Sequence, residues 1–197
     1  MATVYRYRDI CKYMAIDACS IQNVCASNTF LNKSISAGFE FNIPGYALYE
    51  AVRKPLRQEN PLIEARRGYI LDQLKQGKIR LAQLTLEDLQ EMISLRCNKP
   101  NLGKGELACI VYAKNKPLAV LTDDKSARNY TKNLLGDNKS FETAEMVASM
   151  VYYHIITDSE CMDIINEEKR SNTNMDTPYY EAYQQALRVV MYETNKK

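Results

Sequence analysis

The sequence predicts an α/β protein with a central, mostly parallel sheet, and three observations carry that reading. Short apolar runs end abruptly at polar or turn residues: YMAI before Asp17, FEFNI before Pro44, and LAVLT before Asp123. Runs of that length and composition read as buried strands. Longer segments with helical periodicity separate them, which favours helices packed against a parallel sheet. Acids also stand at the ends of the first and last runs, where such folds open their ligand crevice, outside the carboxyl ends of the strands.

The elements follow in order. The first strand covers Tyr13 to Ile16, and residues 18 to 34 read as a turn and short helix with Asn and Ser punctuation. The second run stops at Pro44, and a helix from Gly45 to Val52 follows with Leu48 and Val52 on one face; a proline near a helix start is sterically acceptable. Pro55 and Pro61 lead into a basic helical region over 62 to 76, then the apolar run IRLAQL. TLEDLQE has a threonine with an acid three positions on, a capping box that predicts a helix over 86 to 95. In NLGKGELACIVYAKNK two glycines loosen the approach to a helix that begins near Gly105 or Glu106 and ends near Asn115. Pro117 introduces the strand LAVLT, and SARNYTKNLLG reads as a helix closed by Gly136. Residues 141 to 153 and 159 to 169 look helical. The polar stretch 170 to 178 reads as a linker, and the tail helix after it repeats Tyr180, Tyr183, Leu187 and Val190 at helical spacing.

At 197 residues the chain suits one core plus a modest appendage. The expected division is a main domain over 1 to 170, including a basic helical insertion near 51 to 80, and a linker with C-terminal helix over 171 to 197, packed on the domain or on a partner. A net charge of +2 does not mark a nucleic-acid binder. Residues 51 to 80, however, carry eight Lys and Arg against three Asp and Glu, a local excess suited to a phosphate backbone. Six cysteines without a CxxC pair, and one histidine, leave no zinc ligand set. No stretch approaches 18 apolar residues, so the expectation is a protein of the cytoplasm with no membrane partner.

The acids are the chemistry-bearing residues. A parallel sheet brings Asp17 to the same edge as Asp123 and Asp124; Glu50, in IPGYALYEA, and Glu106, in GKGELACIVYA, fit the same location. Two ionised carboxylates 4 Å apart repel by about 4 kcal/mol at an effective dielectric near 20, so a cluster of them calls for protons or cations. Hard oxygen donors suit magnesium or manganese. Taken singly, each acid also has an ordinary reading as a strand end, helix cap or first-turn acid.

The ordered set resembles that of PIN-domain ribonucleases, especially toxin-antitoxin toxins with a GE helix before a strand ending in aspartate. The resemblance covers about residues 13 to 165. It matches Asp17 in YMAIDACS, Glu50 in IPGYALYEA, Glu106 in LGKGELACIVYA and Asp124 in LAVLTDDKSAR, the last singled out by Arg128 four residues on. Where the family has Ser, Thr or Asn two positions after its first aspartate, this chain has Cys19, with Ser20 and Asn23 nearby.

The resemblance implies a three-layer α/β/α fold and a metal-dependent endoribonuclease. One or two Mg2+ or Mn2+ ions would be bound by Asp17, Glu106 and Asp124, with Glu50 assisting and Asp123 either a ligand through water or a residue that orients the loop. Thr122, Ser20 and Arg128 would support the site, and Arg53, Arg57, Arg66 and Arg67 would contact the RNA backbone. The implied partners are an RNA substrate, an antitoxin protein and a second copy in a homodimer. Two other readings stand beside it: a noncatalytic PIN-like protein-interaction module that binds a regulator through its C-terminal helix, and a DNA nuclease or phosphatase that uses the same acidic site.

Overall fold

The computed structural model describes residues 8 to 55, 60 to 99, 101 to 171 and 173 to 195. Within them five strands form one sheet, β1 (Tyr13–Ile16), β2 (Glu40–Pro44), β3 (Ile79–Ala82), β4 (Ala119–Leu121) and β5 (Ser140–Phe141). Their order is β3-β2-β1-β4-β5 and every pairing is parallel. Met14 stands opposite Phe41 on one side and Ala119 on the other. Met14, Ala15 and Ile16 are buried, as are all three residues of β4, the unbroken apolar pattern of strands covered on both faces. The edge strand β3 alternates differently, with Arg80 and Leu81 outward.

The helices are α1 (Ala18–Val24), α2 (Asn28–Ser36), α3 (Gly45–Val52), α4 (Pro61–Lys75), α5 (Leu86–Asn98), α6 (Lys104–Lys114), α7 (Lys125–Leu135), α8 (Thr143–Tyr152), α9 (Asp158–Ser171) and α10 (Asp176–Thr194). They flank the sheet in a three-layer α/β arrangement. One layer centres on α6, which lies across β1, β2 and β4 and packs against α3 and α5; α8, α9 and α10 pack on one another elsewhere in the fold. Chain order fixes the critical point of the topology. The chain moves from β1 to β2 and β3 on one side, then returns to lay β4 on the other side of β1. In open α/β sheets that reversal leaves a crevice at the strands' carboxyl ends, and here it lies between Asp17 and the residues after Leu121.

Several sequence expectations shift in detail. Residues 18 to 34 form two helices, because Asp17 and Ser27 each cap one through a side-chain oxygen on a backbone amide. IRLAQL supplies the edge strand β3. The Thr85 and Asp88 side chains form the reciprocal capping box of α5. The segment expected to be helical from residue 141 first adds the two-residue strand β5. In the polar stretch expected as a linker, Arg170 and Ser171 close α9 and Asp176 to Pro178 open α10, while residue 172 lies outside the described residues. The tail helix packs intramolecularly on α8 and α9, but its buried face is Tyr179, Ala182, Tyr183 and Ala186, with Tyr180 exposed. The alanines shift the face by one position: close helix contact favours their small side chains, which a count of large apolar residues passes over. Tyr179 also meets Phe30 of α2 edge to face, at 5.6 Å between centroids. Among the described residues no helix is long and apolar enough to cross a membrane.

Candidate carboxylate site

Asp17 follows β1 directly and sits at the crevice, 2% exposed. Its backbone amide donates to the carbonyl of Leu121 (3.2 Å), which continues the β1 to β4 pairing into the site. One carboxylate oxygen accepts from the Ser20 amide at 2.8 Å and the other from the Thr122 hydroxyl. Thr122 is itself fully buried. Burial dominates the acid's chemistry, pushing Asp17 up to about 7, with Asp123 adding to the rise and the Thr122 and Ser20 hydrogen bonds opposing it.

The adjacent aspartates have different tasks. Asp123 accepts from the Asn23 amide group (2.8 Å) through one oxygen, and from the Thr143 amide and hydroxyl (2.9 Å each) through the other. Its own amide donates to the Ser20 hydroxyl at 3.0 Å. It therefore ties the loop after β4 to α1 and α8, which gives physical content to the loop-orienting reading. Asp124 is exposed and caps α7, accepting from the Ala127 amide at 2.7 Å. Arg128 donates to the Thr122 carbonyl (3.2 Å) and pairs with Glu142 at 2.7 Å, both side chains mostly buried. The spacing from Asp124 to Arg128 thus serves the backbone that presents the aspartate.

Glu106 reaches back to the amide of Gly103 at 2.8 Å, near the positive end of α6. Desolvation raises its pKa, opposed by that hydrogen bond, and the charges of Asp124 and Glu50 raise it further. Glu50 reaches the same place because Gly105 has no side chain. A methyl group there would stand 2.5 Å from Glu50 Oε2 and 3.1 Å from the Ala47 α-carbon, so Gly105 serves close packing of α3 on α6. The GE pair is a packing device next to an acid, which corrects its reading as a loose approach to the helix.

The cysteines register the same crowding. Cys19 is exposed as a residue, yet its thiol is pushed up to about 12, by desolvation first and then by Asp17, Asp123, Glu106 and Glu50. Buried Cys109 is raised by desolvation and by Asp17, Glu106 and Glu50. Asp17, Glu106 and Glu50 therefore bear on the same two thiols. Among the described residues, however, no three or more His, Cys, Asp or Glu side chains converge as a group able to hold a metal ion.

The proposed RNA-binding arginines separate. Arg53, at the C-terminal cap of α3, is exposed. Arg57 lies outside the described residues. Arg66 is a correction: it is 9% exposed, donates to the Ser171 carbonyl at 3.2 Å, and feels the buried Glu168 charge. Its guanidinium ties α4 to the end of α9 instead of meeting solvent. Arg67 is also engaged, with Glu64 at 2.8 Å and with the Lys54 carbonyl. The sequence reading singled out neither Gly105 nor Thr143 for the site, and it named Asn23 without its partner; only the GE pair offered a signal.

The chain matches no family model, no curated protein and no solved structure.

Proposed function

We propose that the protein is a divalent-metal-dependent endoribonuclease acting from the β1/β4 crevice. The observation that supports this reading is the buried Asp17 at the topological reversal, with Asp123 raising its pKa, Asp124 and Glu50 raising that of Glu106, and Asp17, Asp123, Glu106 and Glu50 all raising that of Cys19. Such crowding of negative charge is offset most directly by a cation. The donor chemistry fits Mg2+ or Mn2+: every group is a hard carboxylate, and the backbone amides of Gly103 and Ala127 each engage one oxygen, leaving the second oxygen of Glu106 and of Asp124 as a donor.

Asp17, Glu106 and Asp124 would hold the ion, with Glu50 assisting. A bound ion of this kind lowers the pKa of water and offsets charge on a phosphoryl oxygen. The chain's own contribution is positional. Ser20 and Thr122 fix Asp17, Asp123 anchors the loop, and Arg128 holds the Thr122 carbonyl, with Asp17 following β1 and Asp124 standing in the loop after the neighbouring β4. Arg53 would meet the RNA backbone without reading its sequence. The resemblance to toxin-antitoxin toxins extends the proposal to a protein partner that restrains the activity and to a homodimer.

The test is cleavage of several single-stranded and structured RNAs with and without Mg2+, beside D124N and E106Q. We expect metal-dependent cleavage that falls at least a hundredfold in each variant. Equal cleavage by all three proteins would sink the assignment.

A further inference from the structure

A groove of about 910 Å³ borders Glu50, within the roughly 300 to 1,000 Å³ of ligand clefts. Glu50 lines it and also raises the pKa of Glu106. The groove lies between α3, the end of β3 and the first turns of α5 and α6. Tyr46 and Tyr49, three residues apart and so on one side of α3, are 40% and 55% exposed, and Leu81 is 51% exposed. Lys54, after α3, and Lys104, in the first turn of α6 two residues before Glu106, complete the lining used here.

Two features favour one kind of occupant. A pair of aromatic rings left open to water on one helix side offers flat faces for stacking, which a base accepts whatever its identity. Lys54, just beyond α3, and Lys104, at the start of α6, line the same groove and complement phosphates, and Glu50 follows Tyr49 directly on α3. A duplex stacks its bases on each other, so only an unpaired strand can present them to protein rings. A purely apolar helix face would leave both lysines without complement.

We infer that the groove holds single-stranded RNA flanking the scissile phosphate, with bases stacked on Tyr46 and Tyr49 and phosphates met by Lys54 and Lys104. The inference rests on the nuclease reading and names the form of its substrate.

The experiment is fluorescence anisotropy of a short fluorescein-labelled oligouridylate with the full chain in EDTA, which separates binding from cleavage. Y46A/Y49A should weaken binding about tenfold or more, while Y46F/Y49F stays within about twofold of wild type. K54A/K104A should weaken binding and make it less sensitive to salt. Unchanged affinity in folded Y46A/Y49A overturns the inference, as does loss that phenylalanine does not rescue, or absence of binding by wild type. Wild-type RNA affinity with altered self-association in sedimentation velocity also overturns it, because the groove is then a protein interface. Mg2+-dependent cleavage with tyrosine-independent binding leaves the nuclease reading standing and rejects the groove. Tyrosine-dependent binding without cleavage does the reverse.

Discussion

A carboxylate enclosed at a strand end must be neutral, hydrogen-bonded or matched by a cation, and Asp17 has the second with burial still pushing it up to about 7. An unfolded aspartate titrates near 3.8, so the folded state binds a proton more tightly. Stability linked to that proton is fully present below about 4, is lost as pH rises towards 7, and levels off above it. The asparagine variant D17N removes the titration. In EDTA its stability should gain on wild type across that window, by at most about 4 kcal/mol above pH 7, while RNA cleavage is lost. Urea unfolding across the pH range checks this; a constant difference between the two proteins would show that folding leaves the Asp17 pKa unshifted. Residue identity made Asp17, Glu106 and Asp124 visible in the sequence because each ends or begins an element. Arg66 misled because a doublet of arginines on a basic helix reads as surface, while its burial depends on Glu168 and Ser171, about a hundred residues away. Gly105 was legible as a glycine, but its contact with α3 was not.

At the scale of elements, local rules did most where they are strongest. The strands β1, β2 and β4, the capping box of α5 and the helices α3, α4 and α6 follow from apolar runs and turn chemistry. β5 was invisible because two residues hold no period. The division between α1 and α2 was hidden because Ser27 lies in a polar stretch where a cap and a turn look alike. The tail helix shows what long-range packing adds: its buried face is set by alanines against α8 and by Tyr179 against Phe30. Tyr179→Ala removes a fully buried ring and should cost about 3–5 kcal/mol, as large aromatic truncations do in a core. Thermal or chemical unfolding measures it. A cost below about 1 kcal/mol would mean that α10 is an appendage, with its stripe intended for a partner.

At the scale of the whole molecule, the sheet order explains why residues a hundred positions apart meet. The return of the chain from β3 to β4 puts Asp17 beside Thr122, and α6 crossing behind these strands delivers Glu106 while holding α3 and Glu50 against it. The central claim is that these acids act together as one cation site, although no three of them converge around an ion among the described residues. Calorimetric titration with Mn2+ tests it most directly. Wild type should bind at millimolar concentration or below, and D17N, E106Q and D124N should each weaken that binding at least tenfold; no binding by wild type, or the same binding by all four proteins, would contradict it.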